Sequence, residues 1–183
     1  MGNLKVFCAM AGVALASVGK ISLSNYCDIE YFLWSVSNIP SEMQHLPPGG
    51  VWHETYRTNP NGGGVSVKLS KVKAPIDISQ IEYTVDTVNA KIWYDLSNID
   101  AVQQIPVTDG IRIAPQYSGP LQPSSPHLSN CVTVYCPPNI TLCHGIYNKW
   151  NDDHATHACP LSTDLVVELC PIQQERRSGF RDG

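Results

Sequence analysis

Cysteine is the residue type in this 183-residue chain with the clearest capacity for chemistry, and there are seven of them. Cys8 and Cys27 lie near the start, whereas Cys131, Cys136, Cys143, Cys159 and Cys170 crowd into the last third. A long middle free of cysteine, with thiols at both ends, predicts a disulfide framework that staples the ends together in an oxidising compartment. Histidine offers a second chemistry. His154 and His157 follow Asp152-Asp153, so imidazole and carboxylate ligands for a surface metal stand close in sequence. On an extended segment that spacing does not aim both rings at one point, and disulfide formation removes the thiols that would complete a zinc site. We therefore expect no metal and no cofactor. The third candidate is Asn139-Ile140-Thr141, the only Asn-x-Ser/Thr sequon, which falls between Cys136 and Cys143 just after two prolines. A short loop of this kind is exposed, as N-glycosylation requires. A serine-hydrolase elbow, a phosphate loop and a dinucleotide fingerprint are all missing. Gly62-Gly63-Gly64 precedes a strand pattern and reads as a hairpin turn.

The N-terminus agrees with export. Lys5 is followed by an apolar stretch from Val6 to Ala16 and then by small residues, the pattern of a signal peptide over 1–19 with cleavage after Ala16 or Gly19. Cys8 leaves with that leader, so the mature chain keeps an even set of cysteines, as full pairing demands. The leader is too short to span a bilayer and no second long apolar run follows, which argues against a membrane protein after cleavage. A net charge of −4 without any basic run excludes the electrostatic footprint of a nucleic-acid binder. The body, 20–172, is one domain's worth of sequence, and the polar, aperiodic residues 173–183 read as a disordered tail.

Positioning of these residues falls to strands. Val65, Val67 and Leu69 place apolar side chains on one face of a strand; Ile81, Tyr83 and Val85 repeat the pattern, as do Leu165, Val167 and Leu169. Turn chemistry separates such segments at Pro47-Pro48-Gly49-Gly50, at Asp109-Gly110, and in the proline-rich stretch from Pro115 to Pro126, read as loop because proline cannot donate to a sheet ladder. No amphipathic helix of useful length emerges. The expected fold is all-β, an antiparallel sandwich.

Several motifs, in order, resemble the thaumatin-like proteins: Asn25-Tyr26-Cys27 followed by Trp34; Leu46 to Trp52; Gln80-Ile81-Glu82-Tyr83-Thr84; and Trp93-Tyr94-Asp95-Leu96-Ser97-Asn98-Ile99-Asp100. The cysteine intervals at the C-terminal end, with His157-Ala158-Cys159-Pro160 and Cys170-Pro171, are similar to the small fungal secreted members, the yeast-phase-specific or antigenic thaumatin-like proteins. The resemblance implies the pairing Cys27–Cys170, Cys131–Cys159 and Cys136–Cys143. It also implies a thaumatin-like β-sandwich without the second disulfide-rich domain of plant members, since the interval between Cys136 and Cys159 is short.

The same resemblance places Glu82 where the family has a cleft glutamate and Asp95 or Asp100 where it has a cleft aspartate, the residues associated there with β-1,3-glucan. Glycoside hydrolysis needs two such carboxylates, one acting as acid and the other as base or nucleophile. An arginine expected on the strand after the glycine turn is replaced by Val67-Lys68-Leu69-Ser70, and the opposing domain is missing. The simpler expectation is that Glu82 and Asp95 face solvent or satisfy turns, with Ser97 and Asn98 making local bonds to backbone. We expect a secreted monomer that is not an enzyme and acts as an antigen, wall component or host-directed effector. Its expected partner is cell-wall β-glucan or a host protein. For glucan binding, Glu82, Asp95 and Asp100 would work with an exposed ring such as Trp52 or Trp93.

Overall fold

The computed structural model describes residues 18–39, 41–101, 109–117, 130–140 and 142–171. Nearly all of the leader, the tail 173–183 and most of the stretch from Pro115 to Pro126 lie outside the described residues. Among the described residues eleven strands form two layers. They are β1 (Lys20–Asn25), β2 (Tyr31–Val36), β3 (Gln44–Leu46), β4 (Val51–Thr55), β5 (Val65–Ser70), β6 (Ser79–Asp86), β7 (Lys91–Ser97), β8 (Ile111–Gln116), β9 (Val134–Cys136), β10 (His157–Pro160) and β11 (Asp164–Leu169). One sheet runs β4-β1-β11-β8-β9 and the other β10-β7-β6-β5-β2-β3. The only described helical element is a single 3-10 turn, Asp153–Ala155, and no described helix is long and apolar enough to cross a membrane.

The alternation read from the sequence produces the core. Ile21, Leu23, Leu165, Val167, Leu169, Ile111 and Ile113 face inward from one sheet, against Leu33, Val65, Val67, Leu69, Ile81, Tyr83, Ile92, Tyr94 and Leu96 from the other. Polar residues alternate with them and form the outer faces, as a period of two requires. Val85 is only partly buried, because β6 runs past the core toward its turn.

The chain closes on itself. The first and last strands lie side by side in parallel, Ile21 opposite Leu165 through Asn25 opposite Leu169, while every other strand pairing is antiparallel. Disulfide Cys27–Cys170 ties these two strands just past their ends; Cys131–Cys159 and Cys136–Cys143 staple the C-terminal segments. Asn25 is completely buried at the same corner. Its Nδ2 donates to the carbonyls of Ile29, Leu46 and Pro47, and its Oδ1 accepts from the Cys27 amide, so no polar atom there is left without a partner.

Pro115 departs from the expectation of loop, since it lies in β8 opposite Leu165. The neighbouring strand β9 pairs only with Ile111 to Ile113, so β8 is an edge at Pro115. A proline is tolerated at such a place.

Candidate functional site

The carboxylates Glu82 and Asp95 are brought together by register. Strands β6 and β7 are joined through a tight turn in which Asp86 accepts from the Asn89 amide at 2.9 Å and from Asn89 Nδ2 at 2.7 Å, and Ala90 takes a positive φ of 51°. This turn pairs Asp86 with Lys91 and therefore Glu82 with Asp95, directly opposite on the outer face. Opposed residues of an antiparallel pair have Cβ atoms only about 4.5–5.5 Å apart. On the far side of β6, Ser66 of β5 lies opposite Glu82 and Lys68 lies opposite Gln80. At the entry to β5, a Cβ on Gly64 would stand 2.6 Å from Thr84 Oγ1 and 2.8 Å from the Tyr83 carbonyl, so only glycine lets the strands close there.

A polar chain crosses this face. Lys68 Nζ donates to Gln80 Oε1 at 2.6 Å, Ser66 Oγ donates to the same oxygen at 2.9 Å, and Gln80 Nε2 donates to Asp100 Oδ2 at 3.2 Å. Asp100 is thus held at the margin of the pair rather than within it. The segment after the Cys136–Cys143 disulfide adds an edge beyond β7. Tyr147 bridges to Ser97, its amide donates to the Leu96 carbonyl, and its own carbonyl accepts from the Asn98 amide. Tyr147 is thereby set close enough for its hydroxyl to feel the charge of Asp95.

Neither Glu82 nor Asp95 is the freely solvated residue expected from sequence. Both are half-buried. Burial pushes the Asp95 carboxyl up to about 7, the adjacent Glu82 charge adds to the shift, and its Oδ1 is buried with no hydrogen-bond partner. Burial also raises Glu82; Lys68 opposes that rise and Asp100 adds to it. Desolvation is the larger cause for both groups; the like charges nearby add to it, and the one cation that opposes the rise, Lys68, lies on the Glu82 side. With its carboxyl raised to about 7, Asp95 keeps its proton to higher pH than an ordinary aspartate, and a protonated carboxyl donates as well as accepts, a property suited to hydroxyl groups.

The local bonds expected of Ser97 and Asn98 divide. Ser97 Oγ accepts from the Ile99 amide at 3.5 Å, whereas Asn98 Oδ1 accepts from Ser79 Oγ at 2.6 Å, a contact between strands. Trp52 does not belong to this face. It is 9% exposed and packs in the core from β4, in the other sheet. Trp93 remains, half-buried opposite Thr84, with Lys91 Nζ 5.5 Å from its ring centroid. Its position beside Asp95 on β7 follows from the strand itself.

His154 and His157 make separate contacts. His154 Nε2 contacts the His144 carbonyl at 3.0 Å, and His157 Nδ1 contacts Asn130 Oδ1 at 3.0 Å. Among the described residues no three metal-ligating side chains converge. Asn139 is exposed at a turn and adopts a positive φ of 61°, a conformation asparagine tolerates.

One cluster had no warning in the sequence. Glu54 of β4 accepts from Tyr83 Oη at 2.6 Å and from Ser35 Oγ at 2.8 Å, and Arg57 Nη2 donates to Ser35 Oγ at 2.8 Å. Its members come from three separated segments, Ser35 of β2, Glu54 with Arg57 at and just after β4, and Tyr83 of β6, which meet only in the folded chain.

A two-layer sandwich with ends joined by a disulfide and a short disulfide-closed C-terminal loop is the architecture of a thaumatin-like protein of the small type. Sequence comparison agrees: the profile of the Blastomyces yeast-phase-specific protein family matches residues 8–171, and the chain belongs to that family. It is 38% identical over 170 residues to an antigenic thaumatin-like protein of Arthroderma benhamiae, covering 91% of this chain and 80% of that one. To the secreted thaumatin-like protein calA of Emericella nidulans it is 34% identical over 151 residues, covering 82% and 81%. Among solved structures, the protein elicitor MoHrip2 from Magnaporthe oryzae superposes with a TM-score of 0.63 over 84% of this chain and 99% of that one, at 19% identity, a likeness of fold. The protein is an extracellular thaumatin-like protein of fungal type.

Proposed function

We propose that this protein is a non-catalytic, wall-associated binding protein whose acidic outer face takes β-1,3-glucan. The observation that carries this reading is the cross-strand pair itself. Glu82 and Asp95 stand side by side on one sheet, and neither lines the groove of about 700 Å³ nor the smaller one of about 350 Å³ elsewhere on the molecule. A ligand on this face lies over the two carboxyls. Hydroxyls of a sugar chain can accept from protonated Asp95 and donate to Glu82, and the Trp93 ring offers an apolar surface next to them.

Hydrolysis is the second reading, favoured by one specific feature. A carboxyl raised to about 7 beside another carboxylate is the arrangement a general acid and its partner require. Release of reducing ends from a soluble β-1,3-glucan separates the two readings. The binding reading expects none from the wild type. Activity that disappears in a folded Glu82→Gln, Asp95→Asn double variant assigns the face to catalysis instead, because loss of an acid and its partner costs orders of magnitude in rate.

A further inference from the structure

The groove of about 700 Å³ lies where the sandwich is open, between β2 and β3 at the edge of one sheet and β4 at the edge of the other. It shares no residue with the acidic face. Its floor is the Glu54–Arg57 cluster. Glu54 accepts from Tyr83 Oη, Ser35 Oγ and, at 3.5 Å, Arg57 Nε; Arg57 Nη1 donates to Ser37 Oγ at 2.8 Å, and Nη2 donates to the Ser35 carbonyl at 3.0 Å. The two charges compensate each other, and the carboxylate is occupied by donors from three side chains. Such a floor is electrically balanced and rigid, and it holds no second carboxylate for acid–base chemistry.

The rim has the opposite character. Asn38, Gln44, His53 and Thr58 are exposed, and the Asn38 amide nitrogen, the Gln44 amide, the His53 ring and the Thr58 hydroxyl make no hydrogen bond to any other described residue. Trp52, 9% exposed, is also among the residues that line the groove. Unused amide, imidazole and hydroxyl groups around a neutral floor, with an indole beside them, match a ligand that both donates and accepts many hydrogen bonds, carries no charge and has apolar C–H faces. An extended peptide would find few side-chain pockets here, since the exposed large apolar residues of the lining are only Ile39 and Val51.

We infer that this groove is a binding site for a neutral oligosaccharide, separate from the acidic face and unable to cleave what it holds. A volume of this size accommodates a ligand of two or three sugar rings.

The test is amide and side-chain NMR of the whole secreted chain titrated separately with β-1,3-gluco-, β-1,4-gluco-, chito- and manno-hexaose, and with an alternating Val-Thr hexapeptide. At least one saccharide should shift the resonances of Asn38, Gln44 and His53. The surface variant Asn38→Ala, Gln44→Ala, His53→Ala should weaken that saccharide at least tenfold with an unchanged spectrum of the core. The single His53→Ala variant serves as a milder check, with a smaller loss in the same direction. In Glu82→Gln with Asp95→Asn, the Asn38, Gln44 and His53 shifts should titrate with the same midpoint as in the wild type even where binding at the acidic face is lost, so this site-resolved readout keeps failure of the acidic-face reading distinct from failure of this one. The inference is overturned if no saccharide shifts those residues, if the triple variant binds as well as the wild type, or if the peptide alone moves them.

Discussion

Replacing Asp95 by asparagine should stabilise this protein at alkaline pH, the reverse of what removing a buried charged partner usually does. An ordinary aspartate titrates near 3.8 and Asp95 near 7, because burial and the opposed Glu82 both disfavour its charge. The folded chain therefore keeps a proton on Asp95 between about pH 4 and pH 7 that the unfolded chain has released. Stability from this group is present at low pH and is lost as pH rises through the folded value. At 1.36 kcal/mol per pH unit the gap corresponds to about 4 kcal/mol at most, and relaxation around the charge reduces it. Asparagine cannot ionise, so the difference between variant and wild type should be near zero at pH 4 and should favour the variant by about 2–4 kcal/mol at pH 8.5. Taking that difference between two pH values cancels the packing effect of the substitution and the titration of carboxylates that do not interact with Asp95. Urea unfolding at both pH values measures it, as an increase of about one to two molar in the variant's relative midpoint at a slope of about 2 kcal/mol/M. An equal offset at pH 4 and pH 8.5, or a variant that loses ground as pH rises, would refute the reasoning.

Loss of Cys27–Cys170, which closes a loop of 143 residues, should cost about 5 kcal/mol as the Cys27→Ala, Cys170→Ala variant. The corresponding cost for Cys136–Cys143, with a separation of 7, should be about 2 kcal/mol, measured by denaturant unfolding of each variant and supported by non-reducing peptide maps of the wild type. Tyr83→Phe removes a donor to the Glu54 carboxylate and should destabilise by about 1.5–3 kcal/mol, whereas Tyr56→Phe, whose hydroxyl donates to the neutral Thr163 carbonyl, should cost about 1 kcal/mol. Glycosidase treatment of protein secreted from a eukaryotic host should remove the mass of one N-glycan, and Asn139→Gln should abolish that change; an unaltered mass in the wild type would show the sequon unused.

The sandwich could be read from sequence because its signal is local. Val65-x-Val67-x-Leu69 and Leu165-x-Val167-x-Leu169 commit alternate side chains to one face before any partner strand is known. Proline obscured one end of β8, since its exclusion from ladders depends on whether a neighbour is present, and at Pro115 the β9 neighbour has ended. The parallel pairing of β1 with β11 joins residues more than a hundred positions apart, a relation periodicity does not carry. At the site, the motifs located Glu82 and Asp95, but their mutual desolvation depends on register. That register is set by the Asp86–Asn89 turn, a local signal that could have been used. Trp52 was misassigned because an isolated tryptophan does not declare which face of its strand is buried. The Glu54, Arg57, Ser35 and Tyr83 cluster was invisible for a different reason: it exists only after two sheets have packed.

The central claim is that the Glu82–Asp95 face binds glucan and does not cleave it. Its most direct test is depletion of the folded, disulfide-intact protein from solution by insoluble β-1,3-glucan, with the supernatant assayed for new reducing ends. The wild type should be retained on the glucan, Glu82→Gln with Asp95→Asn should be retained at least tenfold less, and neither should release sugar. Equal recovery of wild type and variant in the supernatant would contradict the account, as would reducing ends generated by the wild type alone.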